Sequence, residues 1–443
     1  MEVRTRIGRP LAGLALAALL TAVAAPSLRA APARLQPASP QPPAAEKKQS
    51  PPTFEATTQL VQVDVIVRDG KGRFIDNLTQ DDFKVDEDGK PQKIQTFALV
   101  GAPPGVVGRA AGTERGAPEL LSVGRPIFIF VFDIEHMLPE SLKRTQMAAE
   151  AFVRREFTGE PVGGVVANGQ IFGNHLTSDP AELEQDIRNL KPRGSLLALN
   201  NYDLPDWPKL LSVEEAAQIN AGNQAVLNEA VRRARASMPQ GEGGSSMHPP
   251  VDIDPTPDVI AKAQTITAEV WPWTARLMTT LQVLMAGLEK FDGPKTVIFL
   301  SDGFYSDESW PEIYRIEGLA ARARVRIYSI DSRGLGLYGD NASQMTPDLP
   351  SDALTKLLKA ADSGSDGPNS LAVDTGGYAI RFTNQFGKAL DEIASDTSTY
   401  YLLGYRPANT NFDGRFRTID VKVDRGGVHV RARRGYLAVP SGH

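Results

Sequence analysis

The side chains that could carry chemistry in this 443-residue sequence are carboxylates that follow apolar segments. Asp133 comes directly after the continuous apolar run Ile127–Phe132, and Asp302 ends a second such run at 296–301. Glu135 adds a carboxylate two residues after Asp133. Ligands of open α/β sheets bind at the carboxyl ends of the strands. We therefore expect Asp133 and Asp302 to become neighbours at one edge of a sheet.

Several kinds of catalysis lack support in the sequence. There is no cysteine, which excludes disulfides, thiol nucleophiles and cysteine zinc sites. The five histidines form no HExxH motif, and there is no Gly-x-Ser-x-Gly elbow for a serine nucleophile. Asp133 and Glu135 share one short loop, which does not establish two carboxylates flanking a glycosidic bond. The Gly-rich stretch 334–339 is not followed by a helix start and is predicted to be a loop.

The start of the chain has the pattern of a secretory signal. Arg4, Arg6 and Arg9 precede an uncharged apolar run at 11–25, which is short for a membrane span. We expect residues 1–30 to be a signal peptide and residues 31–53, rich in Pro and Ala, to be a linker. An uncleaved N-terminal anchor is the alternative, and this run is the only membrane candidate. Both interpretations predict an extracytoplasmic protein, periplasmic or secreted.

The remaining sequence predicts an α/β fold with flanking β segments. Residues 125–397 alternate apolar strands with helical patterns, which is typical of a doubly wound, mostly parallel sheet of Rossmann type. An excursion at about 193–270 is longer than a crossover needs and is predicted to be an insertion. Residues 54–100 and 398–439 are β-rich and each too small for a core of its own, so we expect them to pair as β-sandwich elements.

Two local features carry expectations of their own. Trp271-Pro272-Trp273 precedes an amphipathic helix and is predicted to be a kinked, buried anchor, because Trp contributes most when its ring is buried. His136 is expected to face solvent from its loop. The net charge of −5 offers no electrostatic case for a nucleic-acid partner.

Several segments together resemble the von Willebrand factor type A (VWA) domain. They are Asp133 after its strand, Leu300-Ser301-Asp302-Gly303, Ile327-Tyr328-Ser329-Ile330-Asp331 and Thr375-Gly376-Gly377. The flanks at 81–91 and 400–407 look like the exported bacterial VWFA-related proteins. The resemblance covers roughly residues 58–437. It implies a metal-ion-dependent adhesion site at the carboxyl ends of the strands.

That family pattern is Asp-x-Ser-x-Ser, with a Thr on a second loop and an Asp on a third. Asp133 and Asp302 match the two aspartates, and Ser195 is the candidate for the second loop. Glu135 and Met137 replace both serines; a carboxylate suits a hard cation, whereas a thioether does not. The resemblance implies Mg²⁺ or Ca²⁺ on Asp133, Glu135, Ser195 and Asp302. The departures favour the alternative, in which the aspartates cap helices or accept hydrogen bonds from loop amides.

The function expected from these observations is non-enzymatic. We predict an exported VWA-like protein that binds a protein or an envelope polymer through the strand-end rim, with or without a cation. Two alternatives stay open: an extracytoplasmic hydrolase that uses the acidic rim, and a structural component of an envelope assembly.

Overall fold

A computed structural model describes most of the chain after residue 59. The described residues are 60–101, 119–121, 125–192, 207–208, 210, 213–237, 254–304, 306, 309–335 and 364–439. The predicted signal peptide and linker lie outside them, as does Ser195. None of the helices in these ranges has the length and apolar character needed to span a membrane.

The described chain begins and ends in strands. At the N-terminal side these are β1 (Val61–Asp69), β2 (Phe83–Glu87), β3 (Lys90–Gln92), β4 (Ile94–Val100) and β5 (Glu119–Leu121). Strands and helices then alternate as β6 (Ile127–Phe132), α1 (Pro139–Glu156), β7 (Val162–Ala167), β8 (Gln170–Ile171), α2 (Pro180–Asn189), α3 (Val213–Asn220), α4 (Gln224–Ala236), α5 (Thr256–Leu288), β9 (Lys295–Ser301), α6 (Trp310–Ala323), β10 (Val325–Asp331), α7 (Asp366–Asp374), β11 (Ala379–Ile380) and α8 (Phe386–Ser398). The C-terminal strands are β12 (Tyr400–Tyr405), β13 (Phe416–Val423), β14 (Val428–Ala432) and β15 (Gly435–Leu437).

The central sheet has six strands in the order β11-β10-β9-β6-β7-β8. All neighbours are parallel except β8, which runs antiparallel to β7. Alternate residues of β6 face opposite layers: Phe128 and Phe130 pack with α1, α2 and α8, whereas Ile127 and Ile129 pack with α5 and α6. Strands covered on both faces need an unbroken apolar run. The prediction of an α/β fold with a mostly parallel sheet is confirmed.

Two sheets, built mostly from antiparallel strands, flank the α/β unit. Their orders are β14-β1-β12-β4-β5 and β15-β13-β2-β3. Segments from both ends of the chain alternate within them, since β1 pairs with β12 and β14, and β2 pairs with β13. Their shared core includes Val63, Phe83, Phe97 and Tyr401. The stretch 428–437 is divided between the two sheets at Arg434, whose amide donates to the Asp374 carbonyl.

The excursion between α2 and β9 is a small helical layer. Helices α3 and α4 pack on the N-terminal half of α5 around Ala216, Ala230 and Val259, while the C-terminal half of α5 packs on the central sheet. Helix α5 continues through Pro272 without a break. Trp271 is 43% exposed, so the prediction of a buried anchor is wrong for this residue. Trp273 is partly buried, and its ring lies edge-on to His136 with the centroids 6.4 Å apart. The continuous helix turns Val270 and Thr274 inward and leaves Trp271 between them facing outward.

Partly buried ion pairs join the flanking sheets to the α/β unit. Asp64 on β1 pairs with Arg324 at 3.2 Å and with Arg326 on β10 at 3.6 Å. The Arg326 guanidinium also lies over the Tyr400 ring, 4.4 Å from its centroid. Because breaking one member of such a pair leaves a buried charge, these contacts hold the two layers in one arrangement.

Candidate functional site

Three strand ends meet at the carboxyl edge of the central sheet. Strands β6 and β9 are adjacent and parallel, with Phe132 opposite Leu300, and the Asp133 amide donates to the Leu300 carbonyl at 2.9 Å. Asp133 and Asp302 therefore lie at the same edge of one sheet. Strand β10, next to β9, ends there with Asp331. We refer to Asp133, Ser301, Asp302 and Asp331 as the rim.

Asp133 is the centre of a buried polar chain. Its Oδ2 accepts a hydrogen bond from the Ser301 hydroxyl at 2.7 Å, and its Oδ1 lies 2.7 Å from His136 Nδ1. His136 Nε2 lies 3.3 Å from the Thr274 hydroxyl on α5. All four side chains are buried, so the expectation that His136 faces solvent was wrong. The loop folds back in one turn, with the His136 amide donating to the Asp133 carbonyl.

Glu135 points to a different partner. It forms an ion pair with Arg276 of α5, and only 8% of Glu135 is exposed. The sequence offered no signal for Arg276 or Thr274, because neither residue is near the loop in sequence. Together they fasten the loop after β6 to α5.

Asp302 caps the first helix from a distance. Its Oδ2 accepts from the amide of Leu138, the residue before α1, at 2.8 Å. Burial raises the pKa of Asp302 to about 7, and the negative charge of Asp331 also raises it. Hydrogen bonds from Leu138 and Ser141 lower this pKa and offset part of the rise. Its Oδ1 is buried without a hydrogen-bond partner among the described residues.

The third carboxylate of the rim is neutralised locally. Asp331 accepts two hydrogen bonds from the Arg333 guanidinium, at 2.8 and 2.7 Å, and the guanidinium also donates to Ser365 at 2.7 Å. Arg144 of α1 donates to the carbonyls of Ser332 and Arg333. The loop after β10 is thereby tied to α1 and to the start of α7.

A divalent cation would need oxygen donors that are not already held by protein groups. Within the described ranges, no three His, Asp or Glu side chains are grouped so that they could hold a metal ion. An ion on Asp133 or Glu135 would have to displace His136 or Arg276. The described donors therefore do not fit a resident ion in this arrangement. Ion binding by Asp133, Glu135, Ser195 and Asp302 stays a prediction that requires both pairs to open.

Ser301, Asp133 and His136 have the residue types of a hydrolase triad but a different arrangement. In a triad the histidine lies between the nucleophile and the carboxylate. Here the serine and the histidine both contact the carboxylate, on opposite oxygens. Ser301 is 2% exposed, so a substrate carbonyl has no access to its hydroxyl. The arrangement has the properties of a structural brace.

An open groove lies beside this brace, between α3 and α5. It has a volume of about 430 Å³ and is lined by uncharged side chains, among them Ala217, Asn220, Ala221, Ala268, Val270 and Trp271. Thr274 belongs both to the groove lining and to the contact with His136. The exposed Trp271 ring therefore stands on a wall that is connected to the rim by side-chain contacts. The sequence analysis did not predict this groove.

Comparison with known proteins finds only low sequence identity and low structural similarity. No protein-family model matches the chain, and no curated protein matches it. Among solved structures, an aerotolerance-related membrane protein from Bacteroides fragilis is 11% identical, with 62% of this chain and 98% of that chain covered and a TM-score of 0.26. The conserved hypothetical protein BatB from Bacteroides thetaiotaomicron is 12% identical over 61% of this chain and 98% of its own, with a TM-score of 0.24. Scores this low carry no argument about fold or function.

The segments that carry the VWA resemblance have packing roles in this structure. Tyr405 donates to the buried Glu87 carboxylate at 2.7 Å, and Tyr436 donates to the same oxygen at 3.0 Å, which links the two flanking sheets. The Thr375 hydroxyl accepts from the Ile327 amide at 3.0 Å. A Cβ atom on Gly377 would lie 2.0 Å from the Ile327 carbonyl oxygen, so this position requires glycine.

Proposed function

We propose that this chain is an extracytoplasmic, VWA-like binding protein that docks a partner protein in the groove between α3 and α5, beside the rim. The observation that carries the proposal is Trp271, 43% exposed on a groove of about 430 Å³ whose described lining residues are all uncharged. The cores of protein interfaces are depleted of charge and enriched in Trp, and Trp is among the most frequent hot-spot residues.

The groove is suited to a partner's apolar side chain. Its walls are two helices that pack on each other, with Ala217 on α3 and Ala268 on α5 leaving the space open. Asn220 already donates to the Thr267 hydroxyl at 2.6 Å and to the Ala263 carbonyl at 3.2 Å. The polar atoms near the groove are thus partly satisfied before a partner binds, which lowers the desolvation cost of docking.

Binding is favoured over catalysis by the state of the rim. Asp133 is shared by Ser301 and His136, and Asp331 by Arg333. A general base needs hydrogen-bond reach to a substrate proton, and a buried carboxylate with both oxygens occupied lacks it. Asp302 Oδ1 has no partner among the described residues, but that oxygen is itself buried away from solvent. The apolar run at 11–25 after three arginines supports export. The proposal needs no cation, although a cation that opens the Asp133 and His136 pair would make docking ion-dependent.

The test is a comparison of affinities for a partner isolated from envelope extract by capture on the wild-type chain. Trp271→Ala should raise the Kd for that purified partner at least thirtyfold, since a Trp hot spot contributes about 2 kcal/mol or more to the binding free energy. Val283→Ala is the matched control, because Val283 is 67% exposed on the same helix but does not line the groove. Equal affinity of both variants would refute docking at this groove.

Two further readouts separate the competing functions. A hydrolase that uses the rim would lose turnover in an Asp133→Ala variant that keeps its fold, whereas a binding protein has no turnover to lose. An assembly component would sediment as a concentration-dependent oligomer without any partner. A monomer that captures a partner through Trp271 and does not turn it over contradicts both alternatives.

A further inference from the structure

A second, larger cavity lies between β1, β14 and α8. Its volume is about 650 Å³, within the range of small-molecule sites. Its lining includes Arg68, Tyr378, Ser395, Asp396, Val430 and Arg431, and none of the rim residues. The cavity is therefore a separate feature from the rim and from the groove beside Trp271.

The wall of this cavity carries two guanidinium groups on one buried carboxylate. Asp396 is 1% exposed, and its Oδ1 accepts from Arg68 at 3.0 and 3.2 Å and also from Arg431. Its Oδ2 accepts from the Tyr328 hydroxyl at 2.7 Å, and burial raises the pKa of Tyr328, which keeps that hydroxyl neutral. Two cations and one anion leave a net charge of +1 at this wall.

Arg431 keeps hydrogen-bond donors for a ligand. One of its terminal nitrogens contacts Asp396, and the plane of its guanidinium lies near the Tyr378 ring, 4.6 Å from the ring centroid. Its Nε and other terminal nitrogen have no partner within the described ranges of the chain, and 29% of its side chain is exposed. By contrast, Arg68 also donates to the Gly72 carbonyl. An arginine held by a buried acid and by an aromatic face is preorganised for a carboxylate.

The mouth of the cavity limits the charge of that ligand. Its acidic side chains already have cationic partners: Asp69 pairs with Arg73, Asp391 pairs with Arg155, and Glu392 lies 3.9 Å from Lys388. A net charge of +1 at the wall balances a single negative charge. A doubly charged phosphate would be left under-neutralised next to these acids. Val430 and the edge of Tyr378 offer apolar contact to the body of the ligand.

We propose that the cavity between β1, β14 and α8 binds a small monocarboxylate, with the carboxylate on Arg431 and the hydrocarbon body inside the cavity. The geometry resembles small-molecule sites in general, where a few convergent polar groups orient a ligand in a mostly apolar space. The site differs from the proposed protein-docking groove in position and in ligand class, so the two proposals succeed or fail independently.

The experiment is calorimetric titration of the full chain with hexanoate at pH 7 and low salt. The titration is repeated at 0.15 M salt, where screening of the charges should weaken hexanoate binding. Hexanamide, the neutral isostere, and inorganic phosphate are the comparison probes. We expect saturable binding of hexanoate and at least tenfold weaker binding of both comparison probes. Tight phosphate binding would overturn the ligand class, and absence of hexanoate binding up to 10 mM would overturn the site.

Variants locate the binding. Arg431→Gln should weaken hexanoate binding at least tenfold, whereas Lys422→Gln, which removes an exposed cation on β13, should leave it unchanged. Ser395→Phe fills the cavity from the exposed face of α8 and leaves both arginines and Asp396 in place. Ser395→Phe should also abolish hexanoate binding. If Arg431→Gln fails to fold, Ser395→Phe alone tests whether hexanoate binds in this cavity. Unchanged binding in Ser395→Phe would place the ligand elsewhere and refute the proposal.

Discussion

Replacement of Glu317 by Gln tests how this fold responds to pH. Glu317 is 3% exposed on α6 and faces Asp374 at the end of α7. The Ser370 hydroxyl lies 3.0 Å from Glu317 Oε1 and 2.9 Å from Asp374 Oδ2. One hydroxyl has one hydrogen and donates to one carboxylate at a time. Two ionised carboxylates around it would repel, so a proton on Glu317 stabilises the arrangement.

The size of the effect follows from the pKa of Glu317. Burial raises this pKa from 4.5 to about 8, and the charge of Asp374 contributes, while Ser370 and Arg434 oppose the rise. Between pH 4.5 and 8 the folded chain therefore keeps a proton that the unfolded chain has lost. The free energy of unfolding falls as pH rises through this window. A difference of about 3.5 pH units, at about 1.4 kcal/mol each, amounts to about 5 kcal/mol above pH 8.

The assay is urea denaturation of wild type and Glu317→Gln at a series of pH values from 5 to 9. Near pH 5 the two should differ by less than about 1 kcal/mol, because Gln imitates the protonated acid. At pH 9 the variant should be the more stable by about 5 kcal/mol. Arg434→Gln, which removes the cation beside Asp374, should extend the decline to higher pH, because it raises the pKa of Glu317 in the folded state only. Parallel stability curves for wild type and Glu317→Gln would refute the reasoning.

Three further outcomes are expected. Addition of Mg²⁺ or Ca²⁺ to chelated protein should leave its melting temperature unchanged, because Asp133 and Asp331 are held by protein groups and Asp302 Oδ1 is buried; a rise of several degrees would favour the metal prediction. Asp133→Ala should lower the free energy of unfolding by about 2–5 kcal/mol in urea denaturation, because Ser301 and His136 lose a buried partner. Gly377→Ala should lower it by at least about 3 kcal/mol in the same assay, since its Cβ meets the Ile327 carbonyl; near-wild-type stability would contradict this clash.

The parts of the fold that the sequence predicts are those governed by local patterns. The six apolar residues of β6 need cover on both faces, and this requirement alone implies a sheet between two helical layers. Asp179-Pro180 likewise predicts the start of α2, where the Asp179 side chain accepts from the Ala181 amide at 2.8 Å. Such signals arise within one turn of helix or one strand, so they can be recognised without knowing the rest of the fold.

The parts that the sequence did not predict depend on pairs that are distant in the chain. The interior position of His136 depends on Thr274, 138 residues later, and the partner of Glu135 is 141 residues later. The exposure of Trp271 depends on α5 continuing through Pro272 and on which of its faces α3 covers. Strand β1 turns back locally at 69–72, where Arg68 bridges Phe74, but its long-range neighbours are β12 and β14. No local pattern specifies such partners.

The position of β1 between β12 and β14 has a consequence for the newly made chain. Val63 pairs with Leu403, so the first described strand waits for about 340 residues to be synthesised before its partners exist. At about 5–20 residues per second, that interval is about 17–68 s. Throughout it, a valine-rich strand has two unpaired edges, the condition under which nascent polypeptides associate wrongly. A chaperone that covered residues 61–69 during this interval would protect both edges of the strand until β12 and β14 are made.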